Sequence, residues 1–196
     1  MKINKCRVCS GSNLTECIDL GMQPWCNDFV SKEQVGRENK YPLALAFCDI
    51  CGTLQVNYTV PKEIMYNDHT YLSGMNKSMK NHFHSISSNV INNYLKNNEG
   101  LVVDIGSNDG TLLQTYKNLG MSVLGVEPGE KPSQIAIKNS IPTLKRFFDY
   151  DCSVEISDLH GKAKVISAAN VFYHVEDLHS IVKGIKFLLD DDGVIA

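Results

Sequence analysis

Residues 101–110 read Leu-Val-Val-Asp-Ile-Gly-Ser-Asn-Asp-Gly, and residues 125–128 read Gly-Val-Glu-Pro. No other stretch constrains the chain as much. Leu101, Val102 and Val103 form a short apolar run, which suits a parallel strand covered on both faces. Gly106 and Gly110 bracket a turn where backbone comes close to a ligand. Residues 111–119 then carry Leu112, Leu113, Tyr116 and Leu119 on one face, which predicts a helix. Ser122–Val126 is the next strand, and Glu127 stands at its end. An acid about 20 residues beyond a glycine turn is placed to hold two ribose hydroxyls. The pattern predicts a doubly wound α/β sheet with an adenosine-containing ligand. A plain β-α-β unit with a tight turn is the alternative.

The turn chemistry narrows the ligand. A dinucleotide fingerprint needs Gly-x-Gly-x-x-Gly and a helix N-terminus facing pyrophosphate. Here Asp104 precedes Gly106-Ser107-Asn108-Asp109-Gly110, and the middle glycine is missing. Two carboxylates at that point would repel pyrophosphate. They suit a ligand that carries a cation and no phosphate, and S-adenosylmethionine is such a ligand.

Composition bounds the remaining classes. The 196 residues are enough for one domain and a small module, and 43% hydrophobic content can build a core. A net charge of −3 makes no electrostatic case for nucleic acid or an acidic membrane. No apolar run reaches the length of a membrane span, and the N-terminus lacks the apolar core of a signal peptide. A cytoplasmic protein is expected. Seven cysteines in a reducing compartment argue for metal or free thiols over disulfides.

Four of those cysteines are paired. Cys6-Arg7-Val8-Cys9 and Cys48-Asp49-Ile50-Cys51-Gly52 are two Cys-x-x-Cys knuckles, separated by 38 residues. Two thiolates from each knuckle make a closed tetrahedral zinc site, which has a structural role because no position stays open. Unliganded cysteines or a redox pair are the alternatives. Cys17, Cys26 and Cys152 lack paired spacing and are expected as packed thiols. Between the knuckles lie a turn at residues 20–24 and a strand at residues 41–47.

The rest of the chain alternates helix and strand. A short helix is expected from Pro61 to Tyr66, then a loop over residues 67–74. A long amphipathic helix over residues 76–97 carries Met79, Phe83, Ile86, Val90 and Tyr94 on one face. Helices follow at 131–139, 151–159 and 177–189, with strands at 143–147, 164–168 and 193–196. Residues 1–60 are expected as a zinc-binding module, 61–99 as a connecting loop and helix, and 100–196 as the nucleotide-binding domain. The sheet is expected to be incomplete, because the last strand has only begun at Ala196.

The order of these motifs resembles the nucleotide-sugar C-methyltransferases. The resemblance rests on Cys-x-x-Cys at Cys6, Leu-Gly-x-x-Pro at Leu20, Asn27-Asp28-Phe29, and Cys-x-x-Cys-Gly at Cys48. It continues through Tyr71-x-Ser73-Gly74 with Met79, His82 and Phe83, then Asp104 to Gly110 and Gly125 to Pro128. It ends with Ala169-Asn-Val-Phe-Tyr-His-Val-Glu-Asp-Leu178. The resemblance implies an N-terminal zinc domain, a class I S-adenosylmethionine-dependent methyltransferase (Rossmann-like) domain, and a further C-terminal domain beyond this chain. The substrate it implies is a keto-deoxysugar nucleotide.

It also implies roles by position. Gly106, Ser107, Asn108 and Gly110, with Asp104 beside them, lie against the methionine part of the cofactor. Glu127 takes the ribose hydroxyls and Phe148 flanks adenine. Asn170 lines the pocket near the sulfonium, and Tyr71 and Ser73 close over the cofactor. His174 is the candidate for the base or for holding the enolate. Simpler readings stand beside these: His174 capping the next helix, Phe148 as ordinary core, Tyr71 merely exposed. A non-catalytic scaffold that binds zinc and S-adenosylmethionine is a second functional reading, and a nicotinamide oxidoreductase a third.

Overall fold

The computed structural model describes residues 1–26, 29–66 and 71–196. The chain divides into two compact units. One comprises Met1–Tyr66 with Glu176–Leu178, and the other comprises Asn67–Val175 with His179–Ala196. Asn27 and Asp28, and the first four residues of the 67–74 loop, lie outside the described residues.

The first unit is an antiparallel sheet of β1 (Leu14–Pro24), β2 (Lys40–Cys48) and β3 (Leu54–Val56), in that order, followed by α1 (Lys62–Tyr66). Side chains alternate along β2. Ala44, Ala46 and Cys48 are buried, whereas Leu43 and Phe47 are exposed. The turn expected at residues 20–24 is instead the last part of β1. Pairing slips between Asp19 and Met22, and Gly21 takes φ +71° with its amide donating to Asp19 Oδ1 at 2.8 Å. Such a bulge absorbs extra residues without ending the strand. A local Gly-x-x-Pro signal cannot distinguish a bulge from a turn.

In the second unit the helix α2 (Lys77–Tyr94) precedes a five-stranded parallel sheet. Its strands are β4 (Leu101–Ile105), β5 (Ser122–Val126), β6 (Thr143–Leu144), β7 (Ala163–Ser167) and β8 (Leu189–Ile195). The helices between them are α3 (Thr111–Asn118), α4 (Glu130–Lys138), α5 (Tyr150–His160) and α6 (Leu178–Leu188). Spatial order is β6-β5-β4-β7-β8. All five residues of β4 are buried, as the apolar run requires of a central strand. The β4 residues face two different cores. Val103 and Ile105 pack with Leu124, Val126, Ile156, Ile166, Ile185 and Leu188. Val102 packs with Val123, Val165, Phe83, Val90, Leu113 and Tyr116. Fully burying one such side chain contributes roughly 1.5–3 kcal/mol, so the two layers dominate the stability of this unit.

Several boundaries differ from expectation. The long helix stops at Tyr94, and Tyr94 is 62% exposed because Val90 and Ile91 take the inward face. The third strand shrinks to two residues at the sheet edge. The fifth strand starts at Leu189 and pairs with β7 through a register shift that accommodates residues 190–193.

Candidate functional site

Strand order reverses between β4 and β7, and ligands of doubly wound sheets sit outside the carboxyl ends at such a reversal. The glycine turn leaves β4 at this point. Gly106 has φ +70°, and a Cβ there would lie 2.7 Å from Val171 Cγ2, so neither conformation nor space admits a side chain. Asn108 is left-handed too, at φ +51°, a conformation that asparagine tolerates best after glycine.

The amides of the turn are all engaged. Gly106 and Ser107 donate to Val126 O at 2.8 and 3.3 Å, and Gly110 donates to Ser107 O at 3.0 Å. Asn108 donates to Glu127 Oε2 at 2.9 Å, and Asp109 donates to Asn108 Oδ1 at 2.9 Å. Thr111, the first residue of α3, donates to Asp109 Oδ1 at 3.2 Å. A phosphate cradle requires amides that point at the anion unsatisfied, and this turn offers none.

The acids play parts that the sequence left open. Asp104 is 3% exposed and accepts from the Ser167 hydroxyl at 2.6 Å. The register dictates that contact, since Asp104 and Ser167 are direct neighbours across β4 and β7. Burial raises the Asp104 carboxyl to about 7, against the lowering pull of Ser167, and the nearby Glu127 charge adds to the rise. Asp109 accepts from Gly74 N at 2.8 Å through one oxygen and from the Thr111 amide and hydroxyl through the other. Its carboxylate is therefore engaged by three donors within the protein.

Glu127 ends β5 as expected. Its carboxylate accepts from Gly129 N at 2.7 Å and from Asn108 N at 2.9 Å. Burial raises its pKa, and those two amides oppose the rise. A carboxylate has about four acceptor positions, so two amides leave capacity for hydroxyls. The Ser107 hydroxyl is buried without a partner among the described residues. It lies over Gly125, whose added Cβ would sit 2.4 Å from it.

The remaining candidates separate into two groups. Tyr71 and Ser73 meet the glycine turn directly. Asn108 Nδ2 donates to Tyr71 O at 3.0 Å, and Ser73 N donates to Asn108 Oδ1 at 2.9 Å. Asn170 follows β7, exposed and left-handed at φ +59°. His174 ends the single turn Phe172–His174, exposed, with its ring 4.2 Å from that of Tyr173. Phe148, in contrast, is 6% exposed and belongs to the core beneath the sheet. Its ring comes up against Gly184 of α6, where an added Cβ would sit 3.0 Å from it. Sequence reasoning missed Ser167, and it named Gly74 only within the Tyr71-x-Ser73-Gly74 motif, without a role. A serine closing the apolar run of β7 was a signal for the first, but its partner is visible only once the strand register is known.

The four knuckle cysteines form a second site in the other unit. Their sulfurs lie within 4.8 Å of one another, with Cys6–Cys51 and Cys9–Cys48 both at 3.6 Å. Tetrahedral zinc with bonds near 2.3 Å sets sulfurs about 3.8 Å apart, so the cluster fits the metal. Amides at the knuckle lower the Cys6 thiol, that of Cys9 most and that of Val8 at 3.4 Å after it. Thr53, through its hydroxyl and its amide, draws Cys51 down to about 6. Metal ligation needs the thiolate; these contacts favour it at Cys6 and Cys51, whereas Cys9, despite the lowering Gly11 amide, is pushed up to about 12 by its neighbouring cysteines and burial.

A methyltransferase domain description matches residues 79–196, more than half of the chain. The chain belongs to the methyltransferase family. A zinc-binding domain description from the same group matches residues 6–66 and includes all four knuckle cysteines. The C-methyltransferase NovU of Streptomyces niveus is 24% identical over 193 residues, 98% of this chain and 46% of that protein. The chain thus spans about half the length of the curated relative it matches. Among solved structures, an S-adenosylmethionine-dependent methyltransferase from Geobacter sulfurreducens is 16% identical with a TM-score of 0.47, covering 70% of this chain and 54% of that one. Magnesium protoporphyrin IX methyltransferase from Synechocystis is 19% identical with a TM-score of 0.45, covering 57% and 54%. Neither score reaches 0.5, so the family rests on the domain match. That match sets aside the nicotinamide oxidoreductase reading. No described helix is long and apolar enough to cross a membrane.

Proposed function

We propose that this chain is the zinc- and cofactor-binding portion of an S-adenosylmethionine-dependent C-methyltransferase acting on a keto-deoxysugar nucleotide. One observation carries the cofactor part: every amide of the glycine turn is internally bonded, so the crevice suits a phosphate-free nucleoside. The name of the NovU relative supports carbon as the methylated atom. The sugar nucleotide follows from the motif resemblance. The reading divides the chain into a zinc module at 1–60, a connecting segment at 61–99 and the cofactor domain from 100 onward.

Residue roles follow from placement. The backbone of Gly106, Ser107 and Gly110 and the side chain of Asn108 border the methionine part, with Asp104 beneath them. Glu127 keeps acceptor capacity for the ribose hydroxyls. Tyr71 and Ser73 cover the turn, Asn170 lines the β7 side, and Phe148 supports the adenine end from the core. Cys6, Cys9, Cys48 and Cys51 hold zinc.

S-adenosylmethionine supplies an electrophilic methyl group when bound. The chain's own task is to prepare a carbon nucleophile. A ketone beside the target carbon makes its proton removable as an enolate. His174, exposed after β7, takes that proton or holds the developing oxyanion. Asn170 orients the reactants, and alignment itself contributes much of the rate.

The test is titration of the chain with S-adenosylhomocysteine by calorimetry, with NAD as competitor. Micromolar binding that NAD leaves unchanged is expected. Glu127→Gln is the appropriate control, because Glu127→Ala would also free the Asn108 and Gly129 amides. A folded, zinc-loaded chain that binds no S-adenosylhomocysteine would sink the reading.

A further inference from the structure

Asp109 sits in the glycine turn, yet its carboxylate faces protein on both sides. One oxygen holds the start of α3 through Thr111, and the other accepts from Gly74 N at 2.8 Å. Asn108 grips the same segment one step earlier, with Ser73 N at 2.9 Å and Tyr71 O at 3.0 Å. Two adjacent side chains thus clip three backbone positions of one short segment, residues 71, 73 and 74. The grip is tight at Gly74. A Cβ there would lie 2.7 Å from Thr111 Oγ1 and 2.9 Å from Asp109 Oδ2. Any larger residue has to open the clip.

The same chain of contacts reaches Glu127. Asn108 donates its amide to Glu127 Oε2, and Glu127 in turn accepts from Gly129. The strap at residues 71–75, the glycine turn and the end of β5 therefore form one hydrogen-bonded assembly. Asp109 is its outer anchor. It is 7% exposed, and a buried charge-assisted bond to an amide is worth more than a neutral one.

We propose that Asp109 is a positioning residue for the cofactor site, holding the strap at residues 71–75 over the glycine turn through Gly74. This rests on the proposed S-adenosylmethionine site. The acid acts on the ligand only through the strap, and Gly74 is the second half of the same device.

The experiment compares wild type with Asp109→Ala, Gly74→Ala and Thr111→Val. It reads S-adenosylhomocysteine affinity by calorimetry and amide hydrogen exchange at Ser73 and Gly74 in the unliganded chain. Asp109→Ala and Gly74→Ala are each expected to weaken binding by roughly tenfold, the loss of one charge-assisted bond. Both are expected to lose protection at Gly74. Thr111→Val, which deletes the hydroxyl contact and leaves the clip, is expected to keep Gly74 protected and affinity within about twofold. It also shows whether disturbing the start of α3 alone weakens binding.

Three outcomes overturn the inference. In the first, affinity falls in Asp109→Ala while Gly74 stays protected, so the acid meets the ligand directly. In the second, Gly74 loses protection and affinity is unchanged, so the strap does not serve the site. In the third, Thr111→Val reproduces the loss, so the helix start and not the strap carries the effect. Absence of binding by wild type itself would strike the cofactor reading first, and this inference with it. Gly74→Ala keeps the carboxylate in place, so a fold defect in Asp109→Ala cannot mask the answer.

Discussion

The two units stay folded by different means. Among the described residues, Met1–Tyr66 contributes only Cys6, Ala44, Ala46 and Cys48 to the buried apolar set, and two of those are knuckle cysteines. Its larger apolar side chains, including Ile18, Leu20, Met22 and Leu54, are exposed. The parallel-sheet unit instead buries Leu113, Tyr116, Ile156, Ile166 and Leu188 completely. A small sheet of alanines cannot offset the entropy of ordering its chain. Four thiolates on one metal can. One sequence therefore contains a metal-stapled fold and a core-driven fold, and the comparison shows that the zinc site is the first unit's substitute for a core.

Removing the metal gives the largest effect. Structural zinc supplies on the order of 10 kcal/mol of folding free energy in small modules. Cys48→Ser, or chelation of the wild type, should unfold the first unit and leave the second intact. Trp25, the sole tryptophan, lies in the first unit, so its fluorescence reports that unit alone. Amide exchange along β4 and β7 reports the other. Retention of the β1–β2 sheet without metal would break the comparison.

A core truncation is the converse. Leu113 is wholly buried on α3, and Leu113→Ala should cost about 2–5 kcal/mol through the cavity it leaves. The loss should appear in exchange of the parallel sheet, with zinc content and Trp25 emission unchanged. Loss of zinc in this variant would show that the units are not independent.

The same contrast explains what could be read in advance. The parallel sheet was legible because its signals are local: short apolar runs, a glycine turn, and helices with a 3.6-residue period. Cysteine spacing was legible for the same reason. Exposed strands such as β1 carry little hydrophobic pattern, so the bulge at Gly21 passed as a turn. The site was legible as a list of residues and poorly legible as contacts. Asp109 looked like a ligand acid because its partner, Gly74, lies 35 positions away. Asp104 looked charged because nothing local announces that Ser167 and a closed sheet surround it. Register and burial decide both, and neither is written in a short window.

Asp104 gives a prediction of intermediate size. An ordinary aspartate titrates at 3.8, and the folded chain holds this one up to about 7. Between those values the folded chain keeps a proton that the unfolded chain has lost. This group's contribution is therefore full below about pH 4 and drains away as pH rises toward 7. Asp104→Asn stays neutral throughout and can still accept from Ser167. Denaturant unfolding of the parallel-sheet unit at pH 5.5 and pH 8 should show a flatter pH dependence in the variant. The difference is on the order of 1–3 kcal/mol, given about 1.4 kcal/mol per pKa unit. Parallel pH slopes for the two proteins would mean that the carboxyl is ionised across the range.

The smallest effect sharpens the comparison most finely, because it asks whether local hydrogen bonds matter within a core-driven unit. Asp149 caps α5, accepting from Cys152 N at 2.7 Å from an extended conformation. Arg146 lies 3.4 Å from the same oxygen, but an ion pair this exposed contributes little. Asp149→Ala should therefore cost about 1 kcal/mol, the ordinary value of a lost N-cap. Asp149→Asn keeps a cap acceptor and gives up the charge, so it should recover most of that loss. The readout is the denaturation midpoint of the parallel-sheet unit, with Trp25 as the internal control. If Asn fails to rescue, the Arg146 pair and not the cap holds the start of α5. If alanine costs nothing, Cys152 and Ile156, both fully buried, already fix the helix by packing alone, and the unit depends on its core even at its helix ends.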